Sequence, residues 1–323
     1  MRKGWKSLLA GAAAFAVPAA MNARITASTR RLESVLEGEK KYYPWDQGYI
    51  FYTVRGEGPP LVLVHGVYPG ASSFEWRRNF VPLTESRRVY ALDMLGFGLS
   101  DRPRIPYDPA LFEALLGDFL QDVVGEPAAI AATSLSAAFA VHTAFQRPST
   151  VAQLVLIGPT GLYDWADAPG AGNFLLHRAL RFPVLGLSGY YGLTSRAGLE
   201  RYLTNRLYYH PVSVTQEVLD AHHTAAHQAG AAYAQAAFLS GLLSEPVDGV
   251  FGDVRAPILL VWGRHSKLAA VDNAGGFASL NPRADLEIFE ASGALPHVEE
   301  AERFNALVAG WLAGSVQPSS TAE

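Results

Sequence analysis

Ala132-Thr133-Ser134-Leu135-Ser136 is the stretch on which the reading of this chain turns. Before it, Pro127–Thr133 is short, apolar and bounded by Gly125-Glu126, the pattern of a strand buried on both faces. After it, Ala137–Val141 is alanine-rich and suits a helix. A strand that breaks directly into a helix holds the residue at the break in a strained conformation, with its side chain above the sheet. The backbones then approach so closely that the residues two before and two after must be small, and here they are Ala132 and Ser136. The pattern is a relaxed Gly-x-Ser-x-Gly turn. A serine at this place could also simply cap a helix, so the rest of the chain must decide.

Working outward, Leu61–Val64 is a hydrophobic strand that runs into His65-Gly66-Val67, with Trp76 ten residues past the glycine. Arg88–Leu92 is a further strand and leads into Asp93, Gly96, Gly98 and Ser100. Val261-Trp262-Gly263 and Gly293-x-x-Pro296-His297-x-Glu299 follow. With the turn at Ser134, this ordered set resembles the α/β-hydrolase fold superfamily, in the branch of esterases, haloalkane dehalogenases and epoxide hydrolases. The resemblance runs from about residue 45 to 315 and implies an α/β fold: a mostly parallel central sheet flanked by helices, with an inserted helical cap. It also implies Ser134 as nucleophile, and an oxyanion site made by the backbone N–H of Leu135 with that of Val67 or Tyr68. No cofactor is implied.

Two members of the family's catalytic set are missing from their usual places. The acid normally stands three residues past the glycine of the Trp-Gly strand, where this chain has Ser266, and the base directly after Gly293, where it has Ala294. A serine hydroxyl stays unreactive until something takes its proton, and loss of the base costs on the order of 10⁶ in turnover. Of the replacements, His297 is the candidate base, three residues beyond the vacancy, and Asp164, after Leu154–Gly158, is the candidate acid. Each also has an ordinary reading, as a helix-start histidine and a turn aspartate. His265 and Asp272 are lesser candidates. The resemblance leaves two functions open. One is a capped serine hydrolase acting on a small apolar ester or acyl compound through Ser134, His297 and Asp164. The other is a catalytically silent or non-hydrolytic member, such as a ligand-binding protein, lyase or cyclase.

Composition narrows the field. The 323 residues carry a net charge of −4 without a basic run, which gives nucleic acid nothing to bind. Cysteine is absent, so disulfides, thiol chemistry and cysteine metal sites are excluded. His223 and His227 lie one helical turn apart, but Thr224 replaces the glutamate of zinc hydrolases and no third ligand is evident, so no metal is expected. His142, on the helix after the turn, reads as a packed residue. The partner expected is a small-molecule substrate.

Residues 1–30 differ from the rest. Arg2, Lys3 and Lys6 precede an apolar run, Ser7–Ala20, of about fourteen residues, too short for a transmembrane span of about twenty. The segment reads as a secretory signal or as an uncleaved alanine-rich helix lying on a membrane or on the domain, which makes the protein exported or membrane-associated, otherwise cytoplasmic. The hydrolase core is expected at 42–160 and 252–315. Pro109–Val124 shows a helical stripe at Phe112, Leu115, Leu116, Phe119, Leu120 and Val123, and Phe304–Leu312 shows another. About a hundred residues separate the strands Leu154–Gly158 and Ile258–Trp262, far more than a crossover needs, so 161–251 is expected to form the helical cap. Its tyrosines and Trp165 would line a pocket or fill the cap's own core. Residues 316–323 are expected to be disordered.

Overall fold

The computed structural model describes the backbone of residues 2–314 and the side chains of residues 15–314, so the expected tail at 316–323 lies outside the described residues. After a leading helix, α1 (Arg2–Ser28), come β1 (Glu39–Trp45), β2 (Gly48–Arg55), β3 (Pro60–Val64) and β4 (Arg88–Leu92). Helix α2 (Pro109–Phe119), β5 (Ala128–Thr133), α3 (Leu135–Gln146) and β6 (Val151–Ile157) follow. Five helices then come before the next strand: α4 (Ala171–Leu180), α5 (Leu185–Leu193), α6 (Arg196–Tyr202), α7 (Gln216–Ala226) and α8 (Ala231–Leu239). The chain closes with β7 (Ile258–Gly263), α9 (Ala274–Leu280), β8 (Asp285–Phe289) and α10 (Ala301–Leu312).

The eight strands form one sheet in the order β1-β2-β4-β3-β5-β6-β7-β8. β1 and β2 pair antiparallel, β2 meets β4 antiparallel, and every later pairing is parallel. Alternation along each strand sends side chains to two cores. Val62, Val64 and Ala132 join Phe112 and Phe139 on one face. Leu61, Leu63 and Ala131 join Trp76, Phe304 and Trp311 on the other. Burying one aromatic side chain of this kind contributes about 2–3 kcal/mol, and Phe112 and Phe139 also stack, with ring centroids 5.2 Å apart.

Both predicted helical stripes are helices. Asp108 caps α2 by accepting the Leu111 N–H, Pro109 occupies the first turn, and Gly125 at φ +73° ends the run after a wider turn at Leu120–Val124. In α10, Phe304, Val308, Trp311 and Leu312 are buried.

Helices α4–α8 all lie within the segment expected as a cap, and it crosses the carboxyl ends of the strands. Gln235 donates to the Tyr68 carbonyl in the loop after β3, and the Ala294 N–H, after β8, donates to the Leu207 carbonyl. Several of the segment's aromatics are buried or stacked. Tyr190, Tyr191 and Tyr208 are buried, and Trp165 stacks on Phe238 at 4.9 Å. Helix α1 rests on this insertion. Asn22 donates to the Val184 carbonyl at 2.9 Å, and the Thr26 and Tyr191 hydroxyls are 2.7 Å apart.

Candidate active site

Ser134 stands between the end of β5 and the start of α3 at φ +54°, ψ −122°. A side chain rarely adopts this region, and holding it there costs on the order of 1–3 kcal/mol unless surrounding contacts impose it. Here they do. The Ser134 N–H donates to the Ile157 carbonyl of β6 at 2.8 Å, and Ala132 is paired in the sheet with Val64. Ser136, in a place the family gives to glycine, is fully buried and donates its hydroxyl to the His65 carbonyl at 2.7 Å. Ser134 itself keeps partial exposure. Leu135 opens α3, so its N–H has no intrahelical partner.

The loop after β3 is fixed by a residue that sequence reasoning missed. Glu75 is 3% exposed, and its Oε2 accepts both the Gly66 N–H at 3.0 Å and the Tyr68 hydroxyl. Its Oε1 lies 3.1 Å from His297 Nε2. Burial alone would raise the Glu75 carboxyl, but the hydrogen bond and charge of His297, with the Tyr68 and Thr133 hydroxyls, hold it at about 2. The same carboxylate, after the effect of burial, pushes the Tyr68 hydroxyl well above its usual range.

His297 is fully buried, in the single turn Pro296–Glu299. Its ring lies 4.5 Å from that of Trp76 and 5.6 Å from that of Phe304. Its Nδ1 is buried without a hydrogen-bond partner, a condition uncommon enough in folded proteins to call for an explanation.

The carboxylate that meets His297 is Glu75; Asp164, the expected acid, has other partners. Asp164 sits in a tight turn, its carbonyl accepting from the Gly161 N–H, and its Oδ2 accepts from Asn273 at 2.9 Å. A turn role and an amide partner occupy it locally. Asp272 is exposed, and His265, also exposed, stacks on Tyr209 with ring centroids 3.8 Å apart. At the family's acid position the Ser266 hydroxyl accepts from the Ala269 N–H.

At the base position, the insertion fills the space beside Ala294. Glu299 gathers the Gly293, Tyr209 and His210 N–H groups on its carboxylate. A Cβ on Gly293 would stand 2.6 Å from the Leu207 carbonyl oxygen, so glycine is needed for this contact.

The His223 and His227 rings stack at 4.0 Å. Among the described residues, one group of three side chains has metal-ligand geometry: Glu113, His142 and Glu245, whose donor atoms lie within 4.8 Å of one another. Each is engaged within the protein, since His142 Nε2 meets Glu245 at 3.0 Å and Gln146 donates to Glu113.

The family model for the alpha/beta hydrolase fold matches residues 59–301. The chain belongs to this family. It is 28% identical over 267 residues to the 2-hydroxymuconate semialdehyde hydrolase of Pseudomonas sp. (strain CF600), a match covering 80% of this chain and 88% of that one. Among solved structures, a meta-cleavage product hydrolase superposes with a TM-score of 0.69 at 23% identity, over 85% of this hydrolase-fold chain and 98% of that one. A membrane phospholipase A described as a bacterial virulence factor gives 0.69 at 24% identity, over 98% and 99%. At that coverage the likeness takes in α1 as well as the core.

Proposed function

We propose that the protein is a serine hydrolase acting on a small, largely apolar ester or acyl compound. Ser134 is the nucleophile, and the N–H groups of Leu135 and of Val67 or Tyr68 receive the developing oxyanion. The observation that carries this reading is the Ser134 backbone at φ +54°, strain that a merely structural serine would have no use for. Hydrolase activity in the similar 2-hydroxymuconate semialdehyde hydrolase supports it. His297 is the base, and Glu75 rather than Asp164 orients it. The unpartnered His297 Nδ1, with the Glu75 carboxylate on the opposite ring nitrogen, supplies the basic nitrogen. The test is labelling with a fluorophosphonate probe. Wild type should label and Ser134→Ala should not; equal labelling of both would remove Ser134 from the chemistry.

One set of observations favours the second reading, of a silent or non-hydrolytic protein. Ala294 and Ser266 hold the family's base and acid positions, and His297 is wholly buried between two aromatic rings. Turnover of aryl esters that disappears in Ser134→Ala would exclude it.

We further propose that α1 associates the protein with a membrane, as a helix lying on the surface. Among the described residues no helix is long and apolar enough to cross one. The basic start of the segment and the likeness to a membrane phospholipase A along nearly the whole chain support this reading.

A further inference from the structure

The acidic residues of this chain are unevenly distributed. None of its 30 Asp and Glu falls in residues 1–32 or 168–199, while nine of its 26 Lys and Arg do, six in the first stretch and three in the second. Elsewhere 17 basic residues face 30 acidic ones. The two acid-free stretches are far apart in sequence but adjacent in the fold. They hold α1 and the pair α4–α5, and they meet where Asn22 and Thr26 bond to Val184 and Tyr191.

These helices also expose apolar side chains to an unusual degree. Helix α4 buries none of its residues. Phe174 and Leu175 on it are 58% and 71% exposed, and Phe182 and Leu185, at the corner into α5, are about half exposed. The corner is held in this position at a cost, because Val184, a β-branched residue, sits at φ +66° with its carbonyl taken by Asn22 and Ser188. The contacts run parallel, Thr26 beside Tyr191 and Asn22 beside Val184. Residues before Asn22 therefore continue past the corner, and there Phe15, Val17 and Met21 are exposed. Exposed aromatic and leucine side chains among arginines, on a chain that is otherwise acidic, form the chemical pattern of a surface that inserts shallowly into an anionic bilayer.

We propose that α4 and the α4–α5 corner form a second membrane-contacting face, continuous with α1, that docks on anionic lipid through Phe174, Leu175, Phe182 and Leu185 with Arg178 and Arg181 at its rim. This rests on the reading of α1 as a membrane-associating segment and extends it to the insertion that overlies Ser134. The acidic remainder of the chain is repelled by the same lipid, which orients the protein with this face inward.

Because the chain has no cysteine, a single introduced thiol carries a fluorescent label at one known place. Full-length Leu175→Cys, Val17→Cys and, on the core, Tyr49→Cys would each be labelled with an environment-sensitive dye and mixed with vesicles of phosphatidylcholine alone or with phosphatidylglycerol. The expected result is a blue shift and brightening at 175 and 17 with anionic vesicles, none at 49, and reversal in high salt. Arg178→Glu with Arg181→Glu should weaken vesicle binding by roughly tenfold or more. A shift at 17 without one at 175 would overturn the proposal and leave the α1 reading standing. Silence at both positions would overturn both. A vesicle-independent shift at 175 that grows with protein concentration, together with a dimer in light scattering, would assign the face to a second copy and overturn the proposal too.

Discussion

The two sides of the candidate site have been treated differently by this sequence. On one side, the loops after β3 and β4 and the turn after β5 retain what the fold needs to present a serine: small neighbours, a strained backbone and an anchored His65-Gly66 loop. On the other side, the ends of β7 and β8 carry Ser266 and Ala294, and the insertion lies directly on them through Leu207, Tyr209 and His210. The preserved side works through backbone geometry, which tolerates side-chain change. The altered side works through titrating groups, which do not. Among the described residues Glu75–His297 is the ionisable pair that joins the two sides, and it is buried.

The comparison breaks most sharply at Ser134. If the preserved side is chemically used, Ser134→Ala lowers aryl-ester turnover by about 10⁴-fold or more, with the thermal midpoint moving by less than about 3 °C. A turnover unchanged by the substitution would mean that the strained turn is a relic. The next test rebuilds the altered side. If Glu75–His297 supplies the base, Ala294→His with Ser266→Asp should leave turnover within about threefold, whereas a gain of about 10²–10⁴, the worth of a positioned base, would show that it does not. No gain would show that Glu75–His297 already supplies the base, or that Leu207 leaves the new imidazole no room. A crystal structure of the double variant separates those two outcomes.

Glu75→Gln tests the pair itself. Leaving His297 buried without a carboxylate should cost on the order of 3 kcal/mol in urea unfolding. The pH dependence has a definite sign. Folding lowers the Glu75 carboxyl from 4.5 to about 2, so its contribution is complete above pH 4.5 and is lost as pH falls towards 2. In the Glu75→Gln variant that share of the acid loss should vanish. An acid limb identical to wild type would mean that the charge of Glu75 contributes nothing to the fold.

His222 supplies a second, milder titration. It is buried, and burial followed by the nearby Arg77 charge lowers its imidazole from 6.5 to about 4. The unfolded chain therefore takes up a proton first. Stability is complete above pH 6.5 and falls until about pH 4, by up to roughly 3 kcal/mol for a shift of this size. His222→Gln should flatten that slope in part, because burial and its stacked partner His227 lower His223 in the same direction. A slope as steep as wild type would locate the titration elsewhere.

How much of this could be read in advance follows from the same division. Strand and helix periodicity depends on burial alone, so β5, α2, α10 and the turn at Ser134 were legible from their spacing. Ser266 and Ala294 were legible as well, because the positions expected for the acid and the base are defined by distance along the chain from Gly263 and Gly293. Glu75 was not. It lies in a Ser-Ser-Phe-Glu-Trp run with no spacing rule, and its partner is 222 residues away. Only folding brings β3's loop and the turn before α10 together. Asp164 was legible only as a loop aspartate, a residue type that often serves a turn.

That last residue gives the smallest expected effect. Asp164 is half-buried and holds one hydrogen bond, from Asn273. An asparagine in its place keeps the shape and can still accept that bond through its amide oxygen, while removing the charge. If the titrating work is done by Glu75, Asp164→Asn should change stability by less than about 0.5 kcal/mol, the usual range for a surface position, and turnover by less than about twofold. A tenfold drop in kcat with KM unchanged would return the orienting acid to Asp164. Glu75 would then be left as the anchor of the Gly66–Tyr68 loop alone, and the two sides of the site would be joined through β6 rather than across the sheet.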